Sequence, residues 1–262
     1  MKKLSVAEYR KILTILESHT KTTTFAYAVC DQMMDGEVFA NEKLTAGLIR
    51  TSNGIYYLFG DPDDQNYNED LFSLIKKAIE KKEKRFTLFT SSEEWEMMIE
   101  ERFSHVLRNI PRMKFQSVTF EERKRDCNKN TYEVKRIDRR DIERSSEFTE
   151  EYYKEYWGSK EMFLNDGFGF YIEQDGMIVA ECVSIFSGNG FAEIDIVTHK
   201  AYQGKGLAQA VATRFIEHCM QNDITPCWDC YVDNTSSRKL ANKLSFHNPI
   251  EYSLFVRKKT GE

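Results

Sequence analysis

No run of apolar residues in this chain is long enough to cross a bilayer, which argues against a helical membrane span. An excess of positive charge is missing as well. With 37 Lys and Arg against 42 Asp and Glu the net charge is −5, whereas a general nucleic-acid binder would be basic. The N-terminus starts with Lys2 and Lys3, as a leader would. Glu8, Arg10, Lys11 and Glu17 then break up any apolar core a leader needs, so the segment reads as an amphipathic helix over 5–18 and the protein as cytoplasmic. Neither an internal repeat nor a low-complexity segment is visible.

Ligand fingerprints are scarce too. The acidic run DPDDQNYNED, 61–70, lacks the spacing and glycine of an EF-hand and reads as a solvated loop. Cys227-Trp-Asp-Cys230 has the spacing of a redox or zinc pair, but it sits in a strand-like run, where residues three apart face opposite ways. No second Cys/His pair lies at a suitable distance, so no metal is expected. The six cysteines are scattered and read as free thiols in a reducing compartment.

What is present is the composition of a folded protein, 41% hydrophobic and 13% aromatic over 262 residues. That suits one large domain or two smaller ones. FAYAVC, 25–30, reads as a strand, and Asn53-Gly54 between two apolar runs as a hairpin. Leu71, Phe72, Ile75, Ala78 and Ile79 recur at helical spacing, RFTLF reads as a strand, and Ser91 with Glu94 as a capping box. The polar run 121–130 marks a boundary between an N-terminal α/β domain, 1–126, and a second domain, 127–262. Beyond it the pattern reads β-α-α-β-β-β-α-β-α-β, with Asp175-Gly176 as a tight hairpin turn.

Glycine is sparse, 13 in all, yet Gly204 and Gly206 flank Lys205 between the strand FAEIDIVT and an apolar, helix-patterned run from Leu207. Bare backbone costs entropy and implies a need for it. The first turn of a helix presents unpaired N–H groups and the positive end of its dipole, which suits an anion such as phosphate. Small residues clear the approach and Lys205 adds charge, so the loop reads as a pyrophosphate cradle. It is neither a P-loop nor the G-x-G-x-x-G dinucleotide fingerprint.

Gln203-Gly204-Lys205-Gly206-Leu207-Ala208 resembles the [QR]-x-x-G-x-[GA] signature of the GNAT acyltransferase superfamily. The strand order around it is similar, as is Asn234-x-x-Ser237-x-x-Leu240-x-x-x-Leu244-Ser245-Phe246 downstream. The resemblance covers about 130–257. The runs IVTH, YQGKGLA and PCWDC resemble most the branch that holds the zwittermicin A resistance acetyltransferase. The likeness implies an α/β (α+β) fold, with a C-terminal mixed sheet flanked by helices. It also implies acetyl-CoA as cosubstrate and N-acetylation of a small-molecule amine. Pyrophosphate would lie on the backbone of Gln203, Gly204, Lys205, Gly206, Leu207 and Ala208. The pantetheine arm would pair with 195–198, using Val197, and Asn234, Ser237 and Arg238 would contact it.

A general base should be a carboxylate or imidazole in the cleft. Glu193, Asp195, Glu181 and His199 are the candidates, and the spacing of Glu193 and Asp195 puts them on one strand face. Many relatives carry a tyrosine acid seven residues after the asparagine, where this chain has Ala241. An alternative is therefore a CoA sensor with weak or no catalysis. A protein acetyltransferase is a third reading. Tyr152, Tyr153, Tyr156, Trp157 and Phe163 sit where the superfamily builds its acceptor pocket, and a plain amphipathic helix explains them as well. The N-terminal half carries no motif. It reads as a degenerate copy of the fold, a wall for the substrate or a dimer element, which leaves room for a homodimer.

Overall fold

The computed structural model describes residues 1–19, 21, 23–63, 65–81, 85–116 and 132–259. The boundary expected at 121–130 lies outside them. The chain divides into two compact units, 1–112 with 251–262, and 113–250.

In the first unit a 3-10 helix (Val6–Ile12), α1 (Leu13–Ser18) and α2 (Thr24–Cys30) follow β1 (Lys2–Lys3). Next come β2 (Gly36–Ala40), β3 (Ala46–Thr51), β4 (Ile55–Gly60), α3 (Gln65–Glu80), β5 (Thr87–Thr90), α4 (Glu93–Phe103) and β6 (Leu107–Gln116). The sheet order is β1-β2-β3-β4-β5-β12, where β12 is His247–Arg257. Neighbours β1 to β4 run antiparallel, and only β4 and β5 are parallel. The apolar stripe of α3 packs Leu71, Phe72 and Ile75 with Leu58, Leu88 and Trp95 into one core.

Three sequence expectations change here. FAYAVC is the helix α2, not a strand. All seven of its residues are buried, and periodicity cannot separate a wholly buried helix from a buried strand. The cap of α4 is Ser92, whose hydroxyl accepts from Trp95 N–H, and Ser91 instead donates to Gly60 O. The acidic run is mostly helix, since α3 begins at Gln65.

The second unit runs β7 (Lys135–Arg136), α5 (Arg139–Arg144), α6 (Glu150–Trp157), α7 (Lys160–Asp166), β8 (Gly169–Gln174), β9 (Met177–Gly188), β10 (Phe191–Thr198), α8 (Leu207–Gln221), β11 (Thr225–Tyr231) and α9 (Thr235–Lys243). Three helices, not two, separate its first strands. Asp175 and Gly176, both at positive φ, turn β8 into β9, as the dipeptide predicts. In β10 the alternation is used on both faces. Ala192, Ile194 and Ile196 pack toward α8, with Val211, Phe215 and Trp228. Val197 packs on the opposite face, with Tyr153, Trp157 and Phe163 from α6 and α7. Trp228 and Cys230 share the α8-side core while Cys227 is half-exposed, so the two cysteines do face opposite ways.

Both units repeat one order: a short strand, helices, three antiparallel strands, a helix, a strand parallel to the third, and a helix. The repeat that no residue pattern reveals is plain in the backbone.

Candidate active site

The site follows from a break in strand pairing. β10 pairs with β9 along its whole length, with a bulge where Glu193 faces Phe186 and Ile194 faces Ser184, so the extra residue is Ile185 on β9. On its other edge β10 pairs with β11 only at Phe191, Ala192 and Glu193. Both strands run on, to Thr198 and Tyr231, but no longer pair. The backbone of 194–198 therefore presents an edge that can take another extended chain.

The cradle sits at the end of that edge. A short 3-10 turn, Lys200–Tyr202, leads to Gly204 at φ 77° and Gly206 at φ 82°. Left-handed backbone is strained for other residues, so local conformation alone calls for glycine at both positions. A Cβ at either would meet nothing within 4 Å, so the chain's own packing does not forbid a side chain there. The space in front of the loop is open, which is what an approaching ligand needs. Ala210 N–H bonds to Gly206 O, so by helix geometry the N–H groups of Leu207, Ala208 and Gln209 have no helix partner. Gln203 Nε2 donates to Thr198 O at 3.3 Å and ties loop to strand. Lys205 is exposed, its Nζ 4.6 Å from the Tyr202 ring centroid, and its carbonyl accepts from Tyr132 Oη at 2.7 Å. Thr198 Oγ1 is buried with no partner among the described residues. A pyrophosphate fits this donor set: exposed helix N–H groups, one exposed cation and no side chain in the way.

Asn234 caps α9. Its Oδ1 accepts from Ser237 N at 3.0 Å and from Ser236 Oγ at 2.9 Å. Ser237 Oγ accepts from Trp228 Nε1 at 3.0 Å, and Arg238 donates to Val232 O at 2.9 Å. These residues hold α9 against the end of β11. Ala241 is fully buried in the α8-side core and adds no proton donor to the opening.

The carboxylates lie on the opposite face of β10. Register sets Glu181 beside Val197, Val183 beside Asp195 and Phe186 beside Glu193. Asp195 accepts from Tyr152 Oη at 2.9 Å. Burial, and then Asp195, push the Tyr152 phenol well above its usual range. Glu181 is only 3% exposed and accepts from Ser145 Oγ at 2.8 Å. Burial raises its carboxyl to about 7, and nearby Glu147 and Asp141 add to the rise. His199, by contrast, is exposed at the strand end with its ring against Tyr202. The fold thus gathers Glu193, Asp195 and Glu181 on one face and leaves His199 outside the buried cluster. Ser145 was not legible in advance; no short motif marks a loop serine that will meet a strand carboxylate 36 residues on.

Known proteins agree on the class, an acetyltransferase. The model of the GNAT acetyltransferase family matches residues 14–255. The uncharacterized N-acetyltransferase YdfB of Bacillus subtilis (strain 168) is 35% identical over 257 residues, covering 97% of this chain and 98% of that one. The chain belongs to the GNAT acetyltransferase family. The family match takes in the N-terminal half, which no motif identifies. Solved structures repeat the whole fold. A GCN5-related N-acetyltransferase-like protein from Streptococcus suis aligns with TM-score 0.69 at 22% identity, over 97% of this chain and all of its own. A tandem GNAT protein from the clavulanic acid biosynthesis pathway aligns with TM-score 0.64 at 11% identity, over 99% and 98%.

Proposed function

We propose that the chain transfers the acetyl group of acetyl-CoA to the amine of a small cationic molecule by direct attack on the thioester. The observation that carries this reading is the loss of β11 as a partner of β10 after Glu193, beside an open helix N-terminus. The reaction is assigned to residues 127–262. The backbone of Gln203 to Ala208 would hold the pyrophosphate, and the free edge at Val197 would hold the pantetheine arm. A backbone N–H at that edge would stabilise the oxyanion without reorganisation. Asn234, Ser237 and Arg238 would border the arm.

Glu193, Glu181 and His199 are the proposed proton acceptors, and Glu181 is the one whose environment suits the task. A carboxyl near 7 takes a proton at neutral pH and gives it up again. At 3% exposure it would act through an intermediary, not by touching the amine. Carboxylates on one face and a net charge of −5 favour a cationic acceptor, such as a polyamine, aminopolyol or aminoglycoside, over nucleic acid. The reaction asks for no metal. A cytoplasmic location belongs to the same proposal; no helix among the described residues is long and apolar enough to cross a membrane.

The test is a calorimetric titration with acetyl-CoA, with adenosine diphosphate as control, followed by thiol release with an amine panel. Selective binding and amine-dependent thiol release are expected. No binding at millimolar acetyl-CoA would sink the assignment. The buried Ala241 favours one second reading, a sensor that binds acetyl-CoA but turns over slowly; binding without turnover on any amine would select it.

A further inference from the structure

We infer that Tyr132 is a positioning residue of the acetyl-CoA site: its hydroxyl locks the Lys205–Gly206 peptide so that this part of the cradle offers the pyrophosphate a backbone N–H and not a carbonyl oxygen. The inference rests on the acetyltransferase reading above.

The loop needs an anchor from outside. Gly204 and Gly206 both stand at positive φ, and a Cβ on either would meet nothing within 4 Å, so nothing packs on these two positions. The peptide between Lys205 and Gly206 turns about Lys205 ψ and Gly206 φ. Glycine takes negative φ about as readily as positive, so the backbone at Gly206 does little to oppose a half-turn of that peptide. In a planar trans peptide the C=O and the N–H point opposite ways. A half-turn therefore exchanges acceptor for donor at the head of α8 and sets an oxygen where the N–H stood. An anion would then meet a like partial charge.

One contact opposes this. Tyr132 Oη donates to Lys205 O at 2.7 Å, from a residue 73 positions earlier in the chain. The Tyr132 ring packs against the α8-side core, so the hydroxyl is carried by the body of the unit and not by the loop. With the carbonyl held on Tyr132, the Gly206 N–H is turned away from it. Hydrogen bonding in the loop is one-sided in the same sense. The Lys205 carbonyl is taken, whereas the N–H groups of Gly204, Lys205 and Gly206 have no partner among the described residues. Gln203 makes a second tie, Nε2 to Thr198 O at 3.3 Å, but it lies before Gly204 and leaves the Lys205–Gly206 peptide free to turn. A phenol suits the task. It gives one proton to the carbonyl and brings no charge, so it orients the peptide without competing for the anion.

A hydrogen bond of this kind is strong enough to shift a balance between two peptide orientations several-fold. Apparent affinity falls in proportion to the fraction of protein in the competent orientation. The lock should thus show in binding and not in the chemical step.

The experiment compares wild type with Tyr132→Phe, which keeps the ring and removes only the hydroxyl. Acetyl-CoA affinity is read by calorimetric titration. Amine-dependent thiol release is measured with acetyl-CoA and with S-acetylpantetheine, a thioester that lacks the pyrophosphate. We expect Tyr132→Phe to bind acetyl-CoA about three- to tenfold more weakly. Its kcat at saturating acetyl-CoA and its kcat/KM for S-acetylpantetheine should equal those of wild type. Unchanged acetyl-CoA affinity overturns the inference. So does an equal loss with both thioesters, which a general loosening of the unit would produce. Failure of the acetyltransferase reading looks different: wild type itself would not bind acetyl-CoA, and the inference would fall with it.

Discussion

Replacing Glu181 by glutamine should change how stability depends on pH more than it changes stability itself. Burial raises the folded carboxyl from an ordinary 4.5 to about 7. The folded state thus holds its proton more tightly than the unfolded state does. Below about pH 4.5 both states are protonated and the group is harmless. As pH rises toward 7 the unfolded chain ionises freely while the folded chain cannot, so stability falls, and the loss is complete above about 7. The interval from 4.5 to about 7 corresponds to about 3 kcal/mol. At about 2–4 °C per kcal/mol, that is on the order of 5–10 °C in the melting temperature of the second unit. Glutamine keeps an acceptor for Ser145 Oγ and cannot ionise. It brings an amide N–H₂ whose cost is the same at every pH and cancels in the comparison. Calorimetric scans of both proteins at pH 5 and pH 8.5 read the effect. The variant should gain on wild type by several degrees between the two. A difference that stays constant within about 1 °C would refute the buried, protonated carboxyl, and with it the basis for using Glu181 as a proton acceptor.

Other outcomes follow from the same geometry. Gly206→Glu places a carboxylate where a Cβ meets only open space, in front of the helix N-terminus. It should weaken acetyl-CoA binding by about 100-fold or more, measured calorimetrically, whereas Gly206→Ala should chiefly cost about 1–2 kcal/mol of left-handed strain. Glu193→Gln should lower turnover more than acetyl-CoA affinity; equal rates at every pH would remove Glu193 from the chemistry. Acetyl-CoA should bind once per chain: a stoichiometry of two in the same titration would mean that the first unit carries a working cradle.

That last expectation rests on a comparison within the chain. In the first unit β4 and β5 are still paired at Leu58 and Thr90, the register that β10 and β11 abandon. Past that point Trp95 Nε1 donates to Gly60 O at 2.8 Å, and Ser91 N donates to Leu58 O. The strand ends are tied together by the chain itself, and among the described residues no free edge remains there. Asp61-Pro62-Asp63 precede α3 where Gln203-Gly204-Lys205-Gly206 precede α8, so the charge there opposes an anion as well.

The contrast also explains what could be read from residues and what could not. Gly204, Gly206 and the Asn234 helix were legible because each answers a local backbone demand, a positive φ or an uncapped N–H, that few residue types can meet. The two hairpin turns were legible for the same reason. FAYAVC misled because a helix buried on every side has no stripe. The repeat was hidden because what persists between the units is strand order and core volume, which many sequences satisfy, while the polar residues that announce a cradle survive in one unit only. The carboxylate cluster lay between these extremes. Glu193 and Asp195 could be placed on one face from spacing alone. That Glu181 would join them, and that Ser145 would meet it, depended on the strand register and on the loop after α5. Those are tertiary facts, and chemistry built on them has no local signature to find.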